Sequence, residues 1–132
     1  MKLLVVDTNA YTAFLSGNAA IQNAFAEAET IFMSVIVIGE LTAGFYGGTR
    51  ENENRKTLER FLRKPTVKTL PVTAETAELF GFIKNNLKRA GTPIPVNDIW
   101  IAAHAFETGS VLMSFDGHFQ SIPNLRLWHD SN

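Results

Sequence analysis

The chain has 132 residues, 45% of them hydrophobic and 19% charged, with a formal net charge of −1. That length suits one domain with a real core, and the near-neutral balance excludes a strongly basic or acidic field. There is no cysteine, which excludes disulfides, Cys-based zinc sites and thiol nucleophiles and fits a cytoplasmic home.

The start, Met1-Lys2-Leu3-Leu4-Val5-Val6-Asp7, holds too short an apolar run for a secretory signal. No stretch reaches membrane-spanning length. The longest, from Ile31 to Gly39, is broken by Ser34 and stops at Glu40. Repeats and low-complexity linkers are absent, so residues 1–132 are expected to form a single domain.

Leu3 to Val6 is continuous and valine-rich, the pattern of a strand covered on both faces. Asp7, Thr8 and Asn9 all have side chains that can cap the helix implied by Ala10 to Leu15. Ser16-Gly17-Asn18 ends that helix, and Ala19 to Ala28 reads as another. A strand is expected over Ile31 to Met33. Ser34 then caps a helix from Val35 to about Tyr46, with Glu40 in its second turn and Gly47-Gly48 as its stop.

Thr49 to Lys64 is the most charged stretch, and its stripe of Leu58, Phe61 and Leu62 marks a surface helix. Arg50, Arg55, Lys56 and Arg60 give it a basic face, a plausible phosphate track. Glu51, Glu53 and Glu59 offer an equally good account as internal ion pairs. Val67 to Val72 is a short strand interrupted by Pro71. Thr73 caps a helix with the stripe Leu79, Ile83 and Leu87, and Gly91 stops it.

Thr92 to Val96 is an extended loop. Asn97 is expected to cap the following helix, with Asp98 in its first turn and Gly109 at its end. Val111 to Met113 is a buried strand leading into Ser114-Phe115-Asp116, and Leu125 to Trp128 reads as a last strand. Alternating strands and helices predict a three-layer α/β/α sandwich with a mostly parallel central sheet.

Four acids sit beside apolar runs at separate places: Asp7, Glu40, Asp98 and Asp116. A carboxylate beside a hydrophobic segment costs free energy unless something pairs with it, and no lysine or arginine lies within three residues of any of them. Open parallel sheets bind ligands beyond the carboxyl ends of their strands. Asp7 and Asp116 follow strands, and Asp98 and Glu40 sit early in helices, so all four can reach one edge. Gathered there they repel, and a divalent metal resolves the repulsion. Oxygen donors favour Mg2+ or Mn2+, ions that promote phosphodiester hydrolysis. Thr8, Asn9, Asn97 and Ser114 are placed to orient the carboxylates or water. With the four negative charges set aside the remaining residues total +3, a weak pull on an anionic partner.

Val6-Asp7-Thr8-Asn9, then Ser34-Val35-Ile36 through Gly39-Glu40-Leu41 to Gly44, then Pro95 to Ala103, then Ser114-Phe115-Asp116-Gly117-His118-Phe119 follow in an order and spacing that resemble a PIN domain. The likeness is greatest to a VapC-type toxin ribonuclease of a toxin–antitoxin pair and runs over nearly the whole chain. By motif position, Asp7, Glu40, Asp98 and Asp116 match that family's acidic pocket. Thr8 and Ser114 match its small hydroxyl positions. The resemblance implies a Mg2+- or Mn2+-dependent endoribonuclease acting on transfer RNA or ribosomal RNA. It also implies a homodimer and a cognate VapB-type antitoxin whose C-terminal segment blocks the pocket. Phe45, Tyr46 and Trp100 are candidates for such a partner groove or for core packing.

Other readings make different demands. A non-catalytic PIN-like module would bind RNA or protein without metal-dependent cleavage. A phosphoacceptor receiver domain needs an early acidic pair and a late lysine after a strand, whereas Asp7 is followed by Thr8 and no lysine follows Val111. A haloacid-type phosphatase needs an aspartate where Asn9 stands. His104, His118 and His129 have no ligand spacing, and His118 reads as a loop-packing residue.

Overall fold

The computed structural model describes residues 2–129. In chain order the elements are β1 (Leu3–Val6), α1 (Thr8–Leu15), α2 (Ala19–Glu27), β2 (Thr30–Ser34), α3 (Val35–Phe45), α4 (Glu51–Leu62), β3 (Val67–Leu70), α5 (Ala74–Ala90), α6 (Val96–Thr108) and β4 (Val111–Met113). A short 3-10 helix, Gly117–Ser121, follows.

The strands form one sheet in the order β3-β2-β1-β4, and every pairing is parallel. Val5 stands opposite Phe32 on β2 and Leu112 on β4, while Met33 stands opposite Thr69. Leu4, Val5 and Val6 are buried almost completely, as a central parallel strand with helices on both faces requires.

The chain steps one way from β1 to β2 to β3, then jumps back past both to β4. With right-handed crossovers, α1 to α4 cover one face, and α5 and α6 cover the other. Packing agrees. Phe14 stacks on Phe25 with centroids 4.4 Å apart, and Phe61 meets Tyr11 edge-on at 5.1 Å, joining α1, α2 and α4. Phe80 stacks on Trp100 at 3.9 Å, joining α5 to α6. The direction of winding reverses between β1 and β4, and a crevice opens at the carboxyl ends of strands at such a reversal. Asp7 and Ser114, the residues just after β1 and β4, flank that point.

Side chains set the helix ends. Asp7 caps α1, Asn18 caps α2 and Ser34 caps α3. Thr73 and Thr76 form a reciprocal capping box on α5. Gly91 and Gly109 close α5 and α6 in the left-handed conformation that glycine adopts without penalty.

Three expectations need correction. Leu125 to Trp128 is not a strand: only Leu127 bridges to Leu112, although Leu112 N donates to Arg126 O and Trp128 N donates to Leu112 O, both at 2.8 Å. Pairing stops there, beyond an Asn124 held at positive φ. Asn97 does not cap α6; the cap position is Pro95, and the Asn97 amide turns to Glu40 instead. The strand foreseen over Val67 to Val72 ends at Leu70, before Pro71. Among the described residues no helix is long and apolar enough to cross a membrane.

Candidate metal centre

Asp7 is the deepest member of the site, only 5% exposed. It ends β1 and caps α1, one carboxylate oxygen accepting the Ala10 N–H at 2.9 Å. Burial pushes its pKa up. The Ser114 hydroxyl and the Ala10 N–H oppose that shift, and the charges of Asp98 and Asp116 add to it.

Asp98 lies in the first turn of α6, where the helix dipole favours a carboxylate. Burial nonetheless raises its pKa. His118 offsets part of that rise, and Asp116 and Glu40 reinforce it. Asp7 therefore feels the charges of Asp98 and Asp116, and Asp98 feels those of Asp116 and Glu40.

Glu40, half-buried on α3, has both oxygens engaged. Thr8 Oγ1 donates to Oε1 at 2.7 Å and Asn97 Nδ2 donates to Oε2 at 3.2 Å. Two other helices, α1 and α6, therefore hold this side chain of α3. Asp116 follows β4; its N–H donates to Ser114 Oγ, and its Oδ1 accepts the His118 N–H, each at 2.9 Å. Asn9 is exposed on α1 and has no side-chain hydrogen bond among the described residues.

His118 overturns its reading as a loop-packing residue. Its Nδ1 lies 2.9 Å from Asp98 Oδ2 and 2.9 Å from Asp116 Oδ1, and its side chain is 49% exposed. Asp98, Asp116 and His118 each present a ligand atom within 4.8 Å of the others. Asp7 and Glu40 lie outside that tight group. The only signal for His118 in the sequence is its place two residues after Asp116, inside a turn.

The donors suit a hard divalent cation. Carboxylate oxygens dominate, they repel one another, and Asp7 is a buried acid whose ionisation the local environment disfavours. A cation removes that penalty. Elsewhere, a cavity of about 540 Å³ lies at the opposite ends of β1 and β4, lined by Lys2, Leu4, Val111 and Trp128, with Glu27 as its one acid among the described residues. The acidic cluster thus lies at the carboxyl edge of the sheet, apart from that cavity.

The basic face of α4 is largely paired within itself. Arg50 binds Glu53, and Arg55 binds Glu51 at 3.2 Å while lying over the Tyr46 ring. Arg60 donates to Thr57 at 3.4 Å, and Lys56 is exposed. Trp100 is half-buried against Phe80 and Phe45 is half-buried against the core, whereas Tyr46 is 68% exposed.

The model of the PIN domain matches residues 4–125. Ribonuclease VapC1 of Haemophilus influenzae (strain R2866) is 31% identical over 103 residues, which span 77% of this chain and 75% of that one. VapBC-1 from nontypeable Haemophilus influenzae has a similar fold, with a TM-score of 0.86 and 25% identity over 98% of this chain and 99% of the other. VapBC2 from Rickettsia felis, solved bound to a promoter DNA fragment, gives a TM-score of 0.83 and 26% identity over 96% and 97% of the two chains.

Proposed function

The chain belongs to the PIN-domain family, and from that premise we propose that it is a metal-dependent endoribonuclease toxin restrained by a cognate VapB-type antitoxin. One observation carries the reading: Glu40 is bonded to Thr8, next to Asp7, and to Asn97, next to Asp98, while Asp98 and Asp116 meet at His118, so four separate elements bring acids together where the sheet reverses its winding. The relatives' names supply the substrate class and the partner.

Asp7, Asp98 and Asp116 are the metal ligands in this reading, with Glu40 at the edge of the cluster. Mg2+ or Mn2+ matches the oxygen-rich donor set. When bound, the ion polarises the scissile phosphodiester and stabilises charge on the attacking and leaving oxygens.

The protein's own contribution is position. Thr8 and Asn97 fix both oxygens of Glu40, leaving that carboxylate oriented to accept a proton from a nearby water. The Ala10 N–H and the Ser114 hydroxyl stabilise ionised Asp7, and Ser114 also fixes the Asp116 backbone. Asn9, exposed on α1, is suited to contact with substrate or solvent. Among the basic residues of α4, Lys56 and Arg60 are freer to meet RNA phosphates than Arg50 and Arg55, which are paired. A homodimer and a cytoplasmic site of action belong to the same proposal.

The test is RNA cleavage by antitoxin-free protein with Mg2+, with Mn2+ and with chelator, alongside Asp98→Asn. Cutting that needs the metal and vanishes in the variant supports the enzyme. RNA binding with no metal-dependent cutting would instead favour the non-catalytic module.

A further inference from the structure

We propose that His118 is a nitrogen ligand of the metal centre and biases it toward Mn2+ over Mg2+. This rests on the metal-dependent reading above and goes beyond a site made of carboxylates. Donors at right angles around an ion with bonds of about 2.1 Å stand about 3.0 Å apart. His118 Nδ1 lies 2.9 Å from an oxygen of Asp98 and 2.9 Å from an oxygen of Asp116. The spacing is that of neighbouring ligands on one ion.

The ring is presented by a fixed backbone. Asp116 caps the 3-10 helix through the His118 N–H, and the next residue, Phe119, is fully buried. From that fixed backbone the half-exposed imidazole turns only about its own side-chain bonds.

The donor type decides selectivity. Mg2+ takes oxygen ligands and keeps much of its water. Imidazole binds first-row transition ions more readily, increasingly so from manganese toward copper. An imidazole among carboxylates therefore adds affinity for Mn2+ and little for Mg2+.

Pulsed electron paramagnetic resonance of the Mn2+-loaded wild-type protein tests the bond directly. A directly coordinated 14N coupling is expected, and it disappears in His118→Ala. Calorimetry on the same proteins is expected to show Mn2+ affinity falling about 10-fold or more in the variant, with Mg2+ affinity changing less than about 3-fold. Mn2+ bound without a nitrogen coupling, or equal losses for both ions, overturns the assignment of His118 and leaves the carboxylate site standing. Failure of the wild-type protein to bind either ion overturns both readings.

Discussion

Thr8 Oγ1 donates a 2.7 Å hydrogen bond to Glu40 Oε1, linking the first turn of α1 to the second turn of α3. Thr8 is also the residue after Asp7, so one short segment orients two acids of the cleft. Thr8→Val keeps the shape and removes the donor. The expected result is RNA cleavage slowed about 10-fold, with stability changed by no more than about 1 kcal/mol. Thr8→Ser restores the rate. Cleavage kinetics and thermal melts of the three proteins check this, and an unaltered rate in Thr8→Val would separate Glu40 positioning from catalysis.

Asp7 and Asp98 differ in what else they do. Asp7 caps α1, whereas α6 has no side-chain cap and Asp98 sits inside its first turn. Asp98→Asn is expected to abolish cleavage and leave the metal-free protein as stable as before or more so, because it relieves repulsion. Asp7→Asn should behave alike, since its amide oxygen can still accept the Ala10 N–H. Asp7→Ala loses the cap as well, at about 1 kcal/mol. Melting in chelator, together with cleavage assays, distinguishes these cases.

Removal of metal also sets the sign of a pH effect. Asp7 and Asp98 both have folded-state pKa values raised above the ordinary carboxylate value, chiefly by burial. The folded state thus holds their protons more tightly than the unfolded state does. Stability associated with these groups is fully present below the unfolded pKa and is lost as pH rises through the raised folded value. Asp7→Asn removes one such group. In chelator, its melting temperature should gain on wild type as pH rises from the acid range to neutrality, and a constant offset would contradict this. Added metal should narrow the gap by binding wild type in preference.

Much of this architecture could be read from local pattern. The run Leu3–Val6 announced a doubly covered strand, and Asp7, Ser34 and Thr73 occupy the caps their chemistry favours. The approach of the four acids followed from their places at strand and helix ends. His118 was illegible because its role depends on a contact with Asp98, a residue 20 positions away; a lone histidine in a turn carries no spacing to read. Asn97 misled for the same reason. Asparagine favours a cap, but a long-range partner, Glu40, took its amide. Local propensity decides such positions only when no tertiary contact competes.

Tyr11 gives a prediction away from the chemistry. It is 1% exposed, packs edge-on against Phe61, and its hydroxyl has no hydrogen-bond partner among the described residues. Burial pushes its pKa up, so the phenol stays neutral across the physiological range. A buried hydroxyl without a partner costs about 1–3 kcal/mol, while the ring contributes its apolar burial either way. Tyr11→Phe removes the oxygen and keeps the ring, and the fold should gain about 1 kcal/mol. Cleavage should be unchanged, because the Tyr11 ring packs against Phe61 of α4 and its hydroxyl bonds to none of the acids. Denaturant unfolding of the two proteins measures the difference. A destabilised Tyr11→Phe would mean that the hydroxyl is satisfied by a buried water, which the substitution displaces.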